Sequence, residues 1–180
     1  MAEAELQREM VAGADRSLSA VPDLAELHRT QYRTMVRVAA LLVMNLEAAE
    51  EIVQDAFVKL HLGSTRLRDR DRAVAYLRSM VLNGARSWLR RRRVVGKYAP
   101  APLADIESAE SAALLRADRR AVVDAVHTLS LRQRECVVLR YYLGLEEGEI
   151  ADTLGISRGS VKTHTHRALA SLGQRLEGCV

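Results

Sequence analysis

The sequence predicts an all-α protein made of two small helical domains joined by a flexible linker. Proline and glycine are scarce, with 3 and 10 among 180 residues, which disfavours a β sandwich or barrel. Apolar residues recur at helical spacing along most of the chain. Two of the prolines, Pro100 and Pro102, fall together among small and acidic residues, a composition typical of a linker.

Three helices are predicted for the first domain, at residues 23–97. Asp23 can cap the first helix. Asn45 interrupts the apolar pattern, and a second amphipathic helix then ends near Gly63. Residues 63–72 are highly charged and are expected to form a loop. A third long helix follows this loop to about residue 93 and has both an apolar side and a basic side.

The second domain is predicted at residues 113–180, after a linker at residues 98–112. Its apolar residues also recur at helical spacing, with breaks at Gly144 and Gly155. Residues 1–22 are polar and lack a sustained apolar stripe. We therefore expect them to form a tail.

A helix-turn-helix motif is predicted inside the second domain. Such a motif needs a small residue where two helices cross, a turn residue that tolerates positive φ, and an apolar residue that packs back. Counting Glu147 as the first position, Ala151 is the fifth, Gly155 the ninth and Val161 the fifteenth. The second helix of the motif would present polar and basic side chains to base edges and phosphates. These are Arg158, Ser160, Lys162, Thr163, His166 and Arg167.

The formal net charge of +4 is unevenly distributed, and the sign of the charge alternates between segments of the chain. Residues 1–62 carry −4, residues 63–98 carry +9, residues 99–156 carry −4 and residues 157–180 carry +3. Basic blocks separated by acidic ones point to a polyanionic partner. Aromatic side chains on the third helix could stack on unpaired bases. Trp88 suits either that role or a place in the core.

Several classes of protein are disfavoured. Cys136 and Cys179 do not form a Cys-x-x-Cys pair, so a disulfide framework or a zinc knuckle is not supported. No Gly-rich phosphate loop, nucleophile elbow or metal-ligand cluster is present, so we predict no catalytic residue, no cofactor and no metal site. The longest apolar run, residues 38–44, is too short to span a bilayer. We therefore expect a cytoplasmic protein that is not an enzyme and has no membrane insertion.

Two stretches resemble the extracytoplasmic-function (ECF) sigma factors of the sigma-70 family. Their region 2 is similar to AEEIVQDAFVKL, followed by a basic loop and AYLRSMVLNGARSWLRRRR. Their region 4 is similar to LSLRQRECVVLRYYLGLEEGEIADTLGISRGSVKTHTHRAL. The resemblance covers about residues 24–175 in the family's order, and the actinobacterial SigE branch is the most similar. It implies an alternative sigma factor that binds core RNA polymerase and directs initiation at specific promoters.

This resemblance implies three binding surfaces. The second helix would dock on the clamp helices of the polymerase β′ subunit, through Glu51, Gln54, Asp55 and Lys59. The third helix and the loop before it would recognise and open the −10 element of promoter DNA, through Arg68, Tyr76, Asn83, Arg86, Trp88 and Arg90. Region 4 would read the −35 element through the helix-turn-helix residues and meet the β flap. An anti-sigma factor is a further partner that the resemblance implies.

The chain departs from the family's pattern at two positions. Many relatives carry Asp in place of Arg86, which bears on the −10 preference, and Leu in place of Thr165, which bears on packing of the recognition helix. The alternative function is a free-standing LuxR-type helix-turn-helix regulator, whose DNA-binding domain is similar to region 4. Such a regulator normally has a receiver or ligand-binding domain, and residues 1–98 lack the alternating strand and helix pattern that this would require.

Overall fold

The structure, a computed structural model, describes residues 24–63, 70–95 and 113–176. Over those ranges the regular structure is entirely helical, which confirms the all-α prediction. The predicted tail at residues 1–22 and the predicted linker at 98–112 lie outside the described residues. The helices are α1 (Leu24–Val43), α2 (Leu46–Gly63), α3 (Arg70–Val95), α4 (Ala113–Thr128), α5 (Leu131–Val137), α6 (Glu147–Leu154) and α7 (Arg158–Leu176), with a π-helix (Val138–Tyr142) between α5 and α6.

Helices α1, α2 and α3 pack against one another and form the first helical unit. The break between α1 and α2 falls at the predicted place, where Met44 adopts a φ of 59°. The Asn45 side chain accepts a hydrogen bond from the backbone N–H of Ala48 at 2.7 Å, as expected of a residue that caps a helix start. The largest buried side chains of this unit are Met35, Leu42, Leu77, Leu82, Val38, Val43, Val53 and Val81.

Two helix boundaries differ from the sequence predictions. Helix α3 covers Arg70–Val95, so it begins three residues inside the segment predicted as a loop at residues 63–72. Those first residues, Arg70 to Arg72, are charged and therefore show no apolar periodicity. The predicted single helix over residues 131–143 instead changes to a π-helix at Val138, where the N–H of Leu143 donates to the carbonyl of Val138 at 3.2 Å. Apolar spacing does not reveal this change in hydrogen-bond register.

The two helical units are in contact. Helix α1 packs against α4, α5 and the π-helix, while α3 packs against α6. One cluster of buried apolar residues therefore includes Leu42 and Leu77 from the first unit together with Leu139 and Ile150 from the second. A separate small cluster of Leu129, Val137 and Ala168 joins α5 to α7. The sequence did not predict that the units would share apolar surface.

Candidate nucleic-acid interface

Helices α6 and α7 form the predicted helix-turn-helix. The backbone N–H of Glu146 donates to the Glu149 carboxylate at 2.8 Å, which closes a capping box at the start of α6. Gly155 ends α6 with a φ of 65°, the left-handed conformation that favours glycine. Ala151 and Val161 are both buried, where the two helices meet. Ala151, Gly155 and Val161, the three residues that predicted the motif, therefore have the required conformation and packing environments.

The solvent side of α7 brings together the residues predicted to read the −35 element. Arg158, Lys162, Thr163, His166 and Arg167 are exposed. Ser160 is half-buried beside the start of the helix, where its N–H donates to the Ser157 hydroxyl at 3.1 Å. Ser157 thereby caps α7, a role that its position directly before the helix could have indicated.

Two basic side chains of α7 lie against the acidic first turn of α6. Lys162 Nζ is 3.7 Å from a carboxylate oxygen of Glu147. The Arg158 guanidinium lies over Gly148, where an added Cβ would come within 2.9 Å of Nη2. Because the pair of Lys162 and Glu147 is largely exposed, its contribution to stability is small, on the order of 0–1 kcal/mol. In the chain without DNA, the two cations therefore lie beside the first turn of α6.

Four of the residues predicted to read the −10 element share one face of α3. Tyr76, Asn83, Arg86 and Arg90 follow one another at intervals of seven, three and four residues, which are same-face spacings on a helix. Tyr76, Asn83 and Arg90 are exposed. Arg68 lies outside the described residues.

Trp88 lies on a different side of α3. Its ring is half-buried and packs against the apolar cluster that the two units share. The guanidinium of Arg92 lies over the ring, 4.6 Å from its centroid, a distance within the range of a cation–π contact. The structure therefore separates Trp88 from the face that carries Tyr76 and Arg90.

Arg86 makes a contact that the sequence did not reveal. Its Nε and Nη2 atoms donate to the two carboxylate oxygens of Glu135 on α5, at 2.6 and 3.1 Å. Arg132 donates to the same carboxylate at 3.0 Å. The Glu135 side chain is fully buried. A −10 candidate from the first unit is thus paired with an acidic residue of the second unit.

The residues predicted to dock on polymerase lie on the exposed side of α2. Glu51, Gln54, Asp55 and Lys59 are all exposed. The same helix carries two exposed apolar residues, Val58 and Leu62, which are 58% and 79% exposed. They follow Asp55 by three and seven residues, so they extend the same face. In the sequence, both apolar residues fall outside the helical spacing of the buried residues of α2. That position could have identified them as part of the exposed face.

Burial changes the pKa of three groups away from these surfaces. It lowers the pKa of His127 to about 4, and the nearby Arg134 cation acts in the same direction while Asp124 opposes it. It raises the pKa of Cys136 to about 11, with Glu135 reinforcing the effect. It also lowers the pKa of Arg78 on α3, whereas the carboxylate of Glu149 on α6 raises it. The thiol of Cys136 is therefore protonated at neutral pH.

Neither a membrane span nor a metal centre is found in the described parts of the chain. None of the helices in residues 24–63, 70–95 and 113–176 combines the length and the apolarity that crossing a bilayer requires. Within the same ranges, no three His, Cys, Asp or Glu side chains are grouped so that they could hold a metal ion.

Comparison with known families finds two matches in the order of the two helical units. The model of sigma-70 region 2 matches residues 27–94, which span α1 to α3. The model of sigma-70 region 4 matches residues 119–172, which include the helix-turn-helix. A region 2 match beside the helix-turn-helix does not favour a free-standing LuxR-type regulator.

Comparison with individual proteins agrees with the family matches. The chain is 32% identical to an RNA polymerase sigma-E factor of Streptomyces avermitilis, over 87% of each protein. It is 31% identical to the sigma-E factor of Streptomyces coelicolor, again over 87% of each. The fold is similar to that of the sigma factor RpoE of Bartonella quintana in its complex with NepR, with a TM-score of 0.74, 24% identity, and coverage of 86% of this chain and 97% of the other. The chain therefore belongs to the extracytoplasmic-function sigma factors of the sigma-70 family, in the SigE branch.

Proposed function

We propose that this alternative sigma factor is a dissociable specificity subunit whose three binding surfaces divide the work of initiation. The observation that carries the proposal is the presence of both sigma-70 regions, in order, on one chain. The role is non-catalytic, because selection and opening of a promoter can be driven by binding free energy. We place this role in the cytoplasm, where core RNA polymerase and promoter DNA are the partners.

The exposed face of α7 is proposed to read the −35 element as a duplex. Recognition helices enter the major groove with their first turns closest to the base edges. Arg158 and Ser160 lie in the first turn, while Lys162, Thr163, His166 and Arg167 continue along the helix. Side chains of these types form hydrogen bonds with base edges and phosphates.

The face of α3 with Tyr76, Asn83, Arg86 and Arg90 is proposed to bind the −10 element as it opens. Unstacking a base costs a few kcal/mol. Stacking a base on an aromatic side chain returns about 1–3 kcal/mol. Tyr76 is 50% exposed and is the aromatic residue on this face that can accept a base. Trp88 remains a candidate only if it leaves its place against the core, and Arg68 remains a candidate in the preceding segment.

The exposed face of α2 is proposed to dock on the β′ clamp helices. Glu51, Gln54, Asp55 and Lys59 supply polar and charged groups, and Val58 and Leu62 add apolar area that water would leave on docking. The second unit is proposed to contact the β flap through a surface other than the recognition face of α7. An anti-sigma factor is a further proposed partner, since the similar sigma factor RpoE is in complex with one.

Reconstitution with polymerase tests this function. Core polymerase freed of other sigma factors is mixed with the chain and genomic promoter fragments, and transcript starts are mapped by sequencing. We expect starts clustered at a limited set of sites that are absent with core polymerase alone. Random starts with and without the chain would contradict the proposal.

A further inference from the structure

Glu135 is a buried carboxylate whose hydrogen-bond partners include a residue from the other helical unit. A carboxylate without partners in such a place is strongly disfavoured. Here one oxygen accepts from Arg86 Nε, and the other accepts from Arg86 Nη2 and Arg132 Nη1. The Arg86 contact is bidentate, the strongest arrangement for a guanidinium and a carboxylate. The contact is therefore a specific ion pair in the interface between the two units.

The same contact occupies the guanidinium that would meet DNA. Two nitrogens of Arg86 donate to Glu135, and the third donates to the side-chain oxygen of Asn83 at 3.1 Å. Asn83 and Arg86 both belong to the proposed −10 surface. A guanidinium binds a phosphate or a guanine edge through the same planar donors. While Glu135 holds those donors, it takes the place of the nucleic acid.

Other contacts hold the second unit against the first. Arg134 Nη1 donates to the backbone carbonyl of Leu42 at 2.7 Å. Helix α6 packs on α3, where the Glu149 carboxylate attracts the half-buried Arg78 cation. The α2 surface is not part of this arrangement, because Glu51, Gln54, Asp55 and Lys59 remain exposed. A protein that binds α2 can therefore dock while the two units are still together.

We propose that Glu135 is an intramolecular latch that keeps the second unit on α3 and withholds Arg86 from nucleic acid until the units separate. The proposal rests on the assignment of Arg86 to the −10 surface. Polymerase would engage the exposed α2 face first, and separation of the units would then release Arg86 for the opened strand. In the free chain, the latch lowers binding to any single strand that crosses α3.

The test uses the full chain and two readouts. Small-angle X-ray scattering measures the radius of gyration without DNA, and fluorescence anisotropy measures binding to a fluorescein-labelled thymidine 15-mer. Glu135→Gln keeps the size of the side chain and removes its charge. We expect a larger radius of gyration and about tenfold tighter strand binding, within the range of about 5–150-fold typical of coupled sites. Asp124→Asn, an equal charge change at an exposed position of α4, is expected to leave the radius of gyration unchanged and to alter strand binding by no more than about twofold.

Arg86→Gln is the second variant, and it protects the test against misfolding at the buried site. It is expected to open the chain as Glu135→Gln does, without tightening strand binding, because the DNA ligand is lost with the latch. The double variant is expected to match Arg86→Gln in both readouts. Circular dichroism establishes that each variant is folded.

Three results would overturn the latch. The first is an unchanged radius of gyration in folded Glu135→Gln, or in Arg86→Gln if the former does not fold. The second is opening of the chain with no tighter binding than in Asp124→Asn. The third is equal tightening by Arg86→Gln. If the wild-type chain directs no initiation with core polymerase, the proposed function is contradicted instead. The measurements of radius of gyration and strand binding remain a separate test of the latch.

Discussion

Arg134 joins the two helical units by donating to the backbone carbonyl of Leu42 across 92 positions of sequence. Its guanidinium also donates to the carbonyls of His127 and Leu129, at 2.6 and 3.2 Å. One buried side chain therefore satisfies acceptors at the end of α1, at the end of α4 and in the turn before α5. Arg134 is only 8% exposed, so water does not readily replace these bonds.

Arg134→Ala is predicted to lower the free energy of unfolding by about 3 kcal/mol or more, because unsatisfied buried carbonyls cost roughly 1–3 kcal/mol each. Arg134→Lys should recover only part of this loss, since an ammonium group lacks the planar fork of a guanidinium. Urea unfolding followed by circular dichroism measures both. Arg140→Ala is the control, because Arg140 donates to the Leu145 carbonyl within the second unit. Equal losses for Arg134→Ala and Arg140→Ala would contradict the special role of Arg134.

Gly84 is predicted to be required for close packing of α3 on α2. An added Cβ would lie 2.8 Å from Cγ2 of Ile52, an apolar side chain in the core. Gly84→Ala should therefore destabilise the chain by about 1–3 kcal/mol, the usual range for overpacking. Gly173→Ala is the matched control on α7, where a Cβ meets nothing within 4 Å. It should stabilise the chain by up to about 1 kcal/mol, through helix propensity alone. Thermal unfolding of the two variants distinguishes them, and a neutral Gly84→Ala would show that α2 and α3 are not packed this closely.

The buried imidazole of His127 is predicted to make stability depend on pH. Burial lowers the pKa of His127 in the folded chain to about 4, from an ordinary value of 6.5. The unfolded chain therefore binds this proton first as pH falls. The stabilising contribution is complete above pH 6.5 and is lost as pH falls from 6.5 toward 4.

His127→Gln removes this titration. The fall in unfolding free energy between pH 7 and pH 4.5 should be smaller in the variant by about 1–2 kcal/mol, after allowance for partial exposure. Urea unfolding at the two pH values provides the measurement. Parallel pH profiles for the wild type and the variant would rule out His127 as the source.

Two cations of α7 are predicted to contribute separately to duplex binding. Each phosphate contact that is lost should reduce the magnitude of the slope of log K against log salt by about 0.9. Lys162→Ala and Arg167→Ala should each produce this change, measured by anisotropy with −35 duplex over a range of salt concentrations. Arg175→Ala, an equal charge loss in the last turn of the same helix, should change the slope less. Equal slopes for all three variants would place the DNA elsewhere.

Docking on polymerase is predicted to depend on α2 and to be separable from DNA binding. Asp55→Ala should weaken association with core polymerase about tenfold, while affinity for the −35 duplex stays within about twofold, because the two surfaces lie on different helical units. Asp124→Ala is the control for loss of an exposed acidic residue. Biolayer interferometry with immobilised core polymerase gives the first value and anisotropy gives the second. A parallel loss of both activities, in an Asp55→Ala chain that circular dichroism shows to be folded, would contradict separable surfaces.

Local pattern in the sequence predicts much of this fold. The break at Asn45, the positive φ at Gly155 and the buried position of Val161 all follow from residue type and spacing. The π-helix at Val138–Tyr142 does not. A change from α-helical to π-helical hydrogen bonding leaves the apolar residues on nearly the same side of the helix. The spacing of apolar residues in the sequence therefore does not predict it.

The sequence does not predict the contacts between the two helical units. Arg86 and Glu135 are 49 positions apart, and each lies among other charged residues, so nothing in the sequence pairs them. Trp88 was ambiguous for a different reason. An indole beside arginines suits both base stacking and core packing, and only the packing of α3 on its neighbours distinguishes the two environments.

Permanganate mapping of unpaired thymines tests most directly whether this chain opens promoter DNA. Promoter fragments selected by transcript mapping are incubated with core polymerase and the chain, and reactive thymines are located by primer extension. We predict reactive thymines within the −10 element only when both proteins are present, and a weaker signal with Tyr76→Ala. Promoters that stay fully paired, together with tight binding of a palindromic duplex by a dimer of the chain alone, would contradict the account.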